Sequence, residues 1–251
     1  MKKSLILLLL IMSYVTLSCQ QKSNKNDLEK ENLKGNVLSV RKTLYEVTEK
    51  FGEPVKGARK CVDLDICEVY TKYNELGNET EFTEYDGYGF NFISKIKYNE
   101  KNQKIEQNRY TPEEGKRVMQ FKLKYDLKGN CTELSSDYGY VEKKVYDDNN
   151  NLIKELIKRG TGPNEKFNEF NYKYNDKNQK ISEVSEDDKT VYTYFENGDM
   201  KDVIIYNNDG SIQRKGNYIY KYDEHQNWIV QIGYENGIPT LYAERIIEYK
   251  N

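Results

Sequence analysis

Two stretches of the chain are nearly alike: Tyr73-Asn74-Glu75-Leu76-Gly77-Asn78 and Tyr125-Asp126-Leu127-Lys128-Gly129-Asn130. Each has a tyrosine, an Asn or Asp beside it, and a glycine four positions on. Related copies begin at Tyr98, Tyr146, Tyr174, Tyr194, Tyr206 and Tyr222. The residue four after the lead tyrosine is Gly77, Asn102, Gly129, Asn150, Asn178, Gly198, Gly210 or Gln226. All but Gln226 are Gly or Asn, the residues that reach positive φ at least cost. A motif recurring in this way indicates one structural unit used many times.

Working outward, the residues before each turn alternate. Phe121, Leu123 and Tyr125 share one face, with Lys122 and Lys124 on the other. Phe170, Tyr172 and Tyr174 do the same, as do Tyr218, Tyr220 and Tyr222. Period-two alternation of aromatic and apolar residues marks a half-buried strand. After the turn a second strand begins, and Trp228, Val230, Ile232 and Tyr234 are expected on one face of it. Roughly twenty residues hold two strands and two turns, so each copy is a β-hairpin. The expected fold is all-β: an antiparallel meander of hairpins forming a single extended, twisted or rolled sheet. The lead tyrosines are its inward residues. A short helix is expected over Asp27 to Leu33.

The Tyr-Asp-x-x-Gly-Asn pattern resembles the YD repeat of RHS proteins, over about residues 62–250. The stretches Tyr194-Phe195-Glu196-Asn197-Gly198 and Tyr234-Glu235-Asn236-Gly237 look more like MORN-type repeats. Both resemblances imply β-hairpins. The RHS shell is not implied, because this chain is too short to enclose anything of that kind.

The chain begins with Lys2 and Lys3, followed by an apolar run from Leu5 to Met12. This is too short for a permanent membrane helix and fits a signal peptide over residues 1–18. The run ends at Thr16-Leu17-Ser18-Cys19, which resembles a bacterial lipobox. The resemblance implies lipid attachment at Cys19 and a partner in the membrane. Gln20 is not Asp, which resembles the signal for the outer rather than the inner membrane. Residues 19–32 are polar and form the expected tether. The repeat domain is expected over residues 33–251.

Basic and acidic side chains number 39 and 41 and are interleaved. No basic block provides a footprint for nucleic acid. Cys61, Cys67 and Cys131 remain besides Cys19. If the segment from Cys61 to Cys67 were one continuous strand, its ends would lie roughly 20 Å apart. A disulfide there requires the segment to fold back, and the sequence leaves that pairing open.

No catalytic constellation is evident, and neither a cofactor nor a metal is expected. The single histidine, His225, falls in a repeat turn. Asp147-Asp148-Asn149-Asn150-Asn151 starts like a calcium loop, but Leu152 and Lys158 occupy positions where an EF-hand needs Gly and Glu. Asp63 with Asp65, and Glu186-Asp187-Asp188, are acidic pairs expected on solvated faces. Tyrosines of the opposite parity, Tyr70, Tyr140 and Tyr242, are the candidate binding surface. The expected function is a lipid-anchored envelope protein, not an enzyme, whose hairpin sheet binds a glycan, the cell wall or another envelope protein. A structural spacer and a carboxylate-based glycoside hydrolase are the alternatives.

Overall fold

The computed structural model describes residues 26–61, 66–86, 89–100, 102–111, 115–160, 162 and 166–250. The signal peptide, Cys19, and the pair Asp63 and Asp65 lie outside the described residues. After a short helix α1 (Asp27–Lys30) come β1 (Val37–Lys50), β2 (Glu53–Arg59), β3 (Ile66–Tyr73), β4 (Glu79–Asp86), β5 (Gly89–Tyr98) and β6 (Lys104–Tyr110). Then follow β7 (Arg117–Tyr125), β8 (Cys131–Ser136), β9 (Val141–Tyr146), β10 (Leu152–Lys158), β11 (Asn168–Tyr174) and β12 (Lys180–Val184). The last are β13 (Asp188–Tyr194), β14 (Met200–Asn207), β15 (Ile212–Tyr222), β16 (Trp228–Glu235) and β17 (Ile238–Tyr249).

The sheet is closed, which corrects the expectation of an extended or rolled one. β1 pairs antiparallel with β17 (Val40 opposite Ile247) and with β3 (Val40 opposite Thr71). Every other neighbour is a hairpin partner, so β1 and β3 to β17 form a ring of 16 antiparallel strands. A ring in which all neighbours run antiparallel needs an even number of members. β2 is therefore left out of the ring and pairs only with the far half of β1, from Tyr45 to Lys50. That hairpin overshoots the barrel and places Phe51 at its tip, 95% exposed.

The eight repeat copies share one register. The lead tyrosine faces the residue six positions on, as in Tyr73 with Glu79, Tyr125 with Cys131 and Tyr222 with Trp228. The residue before it faces the residue eight after it, as in Lys72 with Glu81. One residue is thus bulged out of each ladder. This bulge corrects the expected face of β16. Trp228 points inward with Gln231 opposite Ala243, while Val230 and Ile232 point outward. Each turn closes by the same two backbone bonds, for example Asp126 N to Asn130 O and Gly129 N to Asp126 O. All eight residues at the fourth position have positive φ, from 55° at Asn178 to 94° at Gly198, and Gln226 follows at 63°.

Closure gives the wall one inward and one outward face. Seven of the eight lead tyrosines point inward, as expected. Tyr206 is the exception, because it follows inward Ile205 on β14 and pairs with exposed Lys189 and Ile212 on the outer face. Leu134, Val203, Ile205 and Leu241 join them and are almost fully buried. Four apolar clusters line the interior, centred on Trp228, Leu28, Phe82 and Val203. Cys61 and Cys67 form a disulfide, with Cα atoms 4.0 Å apart. The continuous strand that would have separated them does not exist, because β3 begins only at Ile66.

Candidate functional site

The strand alternation that buries the tyrosines also decides what each end and the wall present. Seven repeat turns lie on one rim. The turn at Tyr206 joins β14 to β15 and lies on the opposite rim, which explains its short spacing of 12 residues from Tyr194. Tyr249, at the end of β17, occupies the place of an eighth lead tyrosine on the turn rim. The rings lean across to the preceding hairpin. Tyr98, Tyr146 and Tyr194 donate their hydroxyls to the carbonyls of Glu79, Cys131 and Lys180 at 2.7, 2.9 and 2.6 Å. These carbonyls lie beside the bulges, where the ladder is irregular. The tyrosine is therefore a clasp between hairpins. Burial pushes the Tyr194 phenol up to about 12.

The N-terminal segment crosses this rim. Residues 26–32, part of the expected tether, form a capped turn of helix seated on the repeat turns. Asn26 caps α1 and its side chain donates to Leu76 O at 2.9 Å. Leu28 N bonds to Gly77 O. Gly77, with φ of 76°, also leaves no room for a Cβ, which would sit 2.5 Å from the Asn26 amide nitrogen. Asn32 bonds to Asn197 O and Asp199, and Lys34 N to Asn227 Oδ1. Leu28 and Leu33 are buried against Val37, Val40 and Tyr73.

Asp27 enters the interior beneath this segment. It accepts from Lys30 Nζ at 2.7 Å and from Glu79 N at 3.0 Å. Burial pushes its carboxyl up, but Lys30, Lys104 and the hydrogen bonds outweigh this and hold it low. Glu79, beside it, is pushed up to about 7 by burial, against the pull of Lys104. Deeper in the wall, Lys144 lies between Glu142 and Glu155 at 2.5 and 3.3 Å. Tyr140 donates to Glu142, and Tyr172 to Glu155 at 2.8 Å. Burial disfavours the Lys144 ammonium, but the two carboxylates hold it above the usual lysine range. These carboxylates are enclosed and already paired.

The outer wall mixes ion pairs with exposed apolar residues such as Val145, Ile219 and Ile246. Lys72–Glu81, Lys97–Glu106 and Lys124–Glu133 repeat the same cross-strand ion pair at 2.9, 3.1 and 2.5 Å. Several strands are short: β8 and β9 have 6 residues and β12 has 5. A lipid-facing strand needs about 9–11 residues and an apolar outer face. A Lys or Arg at the bilayer midplane costs about 2–4 kcal/mol. The short strands and the ion pairs disfavour a hydrocarbon surround at those positions, whereas β1, β5, β7, β15 and β17 reach 9–14 residues.

Of the three candidate surface tyrosines, the structure places Tyr70 and Tyr242 outward, on either side of β1. Tyr140 is instead turned inward. The tight turn from Ser136 to Tyr140 resets the strand parity, and the ring packs edge-on against inward Phe121 at 6.3 Å. Two further outward tyrosines join the pair. Tyr45 meets Tyr242 edge-on at 6.4 Å, and Lys56 lies 4.8 Å over its ring. Arg41 lies 4.8 Å from the Tyr70 ring and 5.7 Å from that of Tyr85. Arg41 and Arg59 both pair with Glu68. The patch thus comprises Tyr45, Tyr70, Tyr85 and Tyr242, interleaved with Arg41, Lys56 and Arg59. Alternation from inward Leu44 was the available signal for Tyr45. Nothing in the sequence showed that β1 sits between β17 and β3.

Two other motifs lie in repeat turns. His225 stacks on Tyr249 at 4.0 Å between ring centres. Asp147 spends its carboxylate on the backbone N–H groups of Asn149 and Asn151. Among the described residues, no group of three His, Cys, Asp or Glu side chains could hold a metal ion.

No family model matches this chain, and no curated protein matches it. Among solved structures, a porin-like protein from Bacteroides uniformis is similar, with a TM-score of 0.52 and 13% identity, over 84% of this chain and 96% of that one. A TcdB2–TccC3 chain aligns with 72% of this chain and 11% of its own length at a TM-score of 0.31 and 12% identity. The Photorhabdus luminescens Tc holotoxin pore aligns with 72% of this chain and 10% of its own at 0.32 and 11% identity. Only the first is close enough to bear on architecture, and it establishes the fold alone: a closed, porin-like antiparallel β-barrel.

Proposed function

We propose that the chain is a lipid-anchored cell-envelope protein whose barrel stands beside the membrane, without crossing it, and binds a partner through its outer wall. The patch of Tyr45, Tyr70, Tyr85 and Tyr242 carries this reading. Aromatic faces stack on sugar rings, and the interleaved Arg and Lys favour an anionic glycan or cell-wall polymer. The signal segment and Cys19 support export and acylation, and the uniform hairpin register supports kinship with YD repeats. On this reading Cys19 carries the lipid, the outer membrane is the destination, and the chain is a binding module rather than an enzyme.

The test compares the parent with Tyr70→Ser and Tyr242→Ser on an array of anionic glycans and peptidoglycan fragments. Selective binding by the parent, reduced about tenfold or more in both variants, supports the reading. Equal binding by all three, or binding to none, discards the patch. A second reading, a spacer that contacts only envelope proteins, is favoured by the enclosed interior, where Glu142 and Glu155 are already paired with Lys144. It predicts cross-linking partners from the envelope and no glycan signal.

A further inference from the structure

The docked N-terminal segment fixes where an anchored chain leaves the barrel. Asn26 is held on the rim beside the Leu76 turn, by the bond to Leu76 O and by the neighbouring bond from Leu28 N to Gly77 O. Cys19 is seven residues upstream. Seven residues span at most about 25 Å even when fully extended. The tether is thus half the length that sequence alone suggests, and the turn rim is held within that reach of the acylated residue. The same rim exposes two large apolar side chains at turn tips. Leu76 is 62% exposed and Leu127 is fully exposed. At the position of Leu76 other copies carry Asn149, Lys177 and Asn197, and at that of Leu127 they carry Asp148, Asp176 and Glu196. Lys34, Lys128 and Lys250 also lie on this rim, but Lys34 donates to Gln226 O, and Lys128 and Lys250 are shared with Asp148 and Glu75. Asp176, Glu196 and Glu224 stand on the same rim, so charge adds no attraction to the apolar contacts.

The opposite rim is a poorer seat. β3 alone has 8 residues, which is about 26 Å along the strand. Strand tilt reduces this to about 20 Å of height, so a tether running back along the wall would reach that rim only when almost fully extended. The β1–β2 hairpin, which overshoots there, would hold the mouth still further off.

From this geometry, and resting on the anchor at Cys19, we propose that the turn rim is a lipid-docking surface. Leu76 and Leu127 enter the headgroup boundary. The barrel axis stands away from the membrane, so that the opposite rim and the Phe51 hairpin point into the aqueous compartment. Two shallow apolar contacts would be weak alone, but the acyl chains hold the rim at the surface where even weak insertion is populated.

The experiment uses the full acylated protein in vesicles of phosphatidylethanolamine and phosphatidylglycerol with brominated acyl chains. Tryptophan fluorescence of Leu76→Trp, Leu127→Trp and Phe51→Trp is read against the parent, whose buried Trp228 sets the baseline. Quenching of Leu127→Trp and Leu76→Trp at least twofold above that of Phe51→Trp is expected. Quenching of Phe51→Trp alone, or of none of the three, in protein that floats with the vesicles overturns the docking surface and leaves the anchor standing. Flotation of Cys19→Ala separates the two claims. If it floats as well as the parent, the anchor itself is wrong and the docking surface falls with it.

Discussion

At the scale of single residues, the interior is more polar than a chain of alternating strands leads one to expect. Lys144, Glu142 and Glu155 are nearly devoid of solvent contact, yet each has its partner. The sequence predicted the lead tyrosines inward and was silent on these charges. Alternation says which face a residue takes, and only closure of the wall decides whether that face is wet. Glu79 offers a test. It keeps some surface, but its carboxyl is enclosed by Asp27, Glu31, Lys30 and Lys104. With a folded value of about 7 against 4.5 unfolded, it holds a proton in the native state that the unfolded chain has released. Stability from this group is therefore full below about pH 4.5 and declines as pH rises to 7. Asp27, held low, titrates below that window. Urea midpoints of the parent and of Glu79→Gln at pH 5 and pH 8 should show the parent losing about 1–3 kcal/mol more than the variant over the interval. Parallel changes in both would show that Glu79 is an ordinary carboxylate.

At the scale of the element, the hairpin was almost entirely legible. The tyrosine, the Asx beside it and the positive-φ residue four on each have a local physical cause, which sequence patterns record well. In six copies, the Asn or Asp side chain accepts the N–H four residues on, as Asp126 does from Asn130 at 2.8 Å. What the pattern did not reveal was the bulge. It turned β16 over and, together with the Ser136 turn that reversed Tyr140, altered the outer surface. The turn chemistry predicts unequal costs. Gly129 sits at φ of 88° and Asn178 at 55°. Gly129→Ala should lose about 1–2 kcal/mol on chemical denaturation, because a Cβ is disfavoured in the left-handed region. Asn178→Gly should change stability by no more than about 0.5 kcal/mol. Equal losses in the two would mean that the positive φ does not control the turn.

At the scale of the whole molecule, closure was not legible. The decisive pairing joins β1 to β17, with Val40 opposite Ile247 some two hundred residues away. No local signal reports a contact of that range, and both strands look like ordinary members of a meander. The charged outer wall was legible residue by residue, in Lys72, Lys97 and Lys124, but its meaning appeared only once it became the outside of a barrel. A protein lacking residues 1–18 and carrying Cys19→Ala should be monomeric in detergent-free buffer by sedimentation velocity. Aggregation relieved only by detergent would indicate a wall that belongs in lipid.

The exclusion of β2 from the ring bears on how such a barrel changes over generations. With every neighbour antiparallel, adding or deleting one strand breaks closure, because two adjacent strands would then have to run parallel. The smallest tolerated step is a pair, which here is one repeat copy with its tyrosine clasp. Lineages of this architecture should therefore differ in circumference by whole duplicated or lost hairpins, through 14, 16 or 18 staves, and an orphan strand should appear, like β2, outside the hoop.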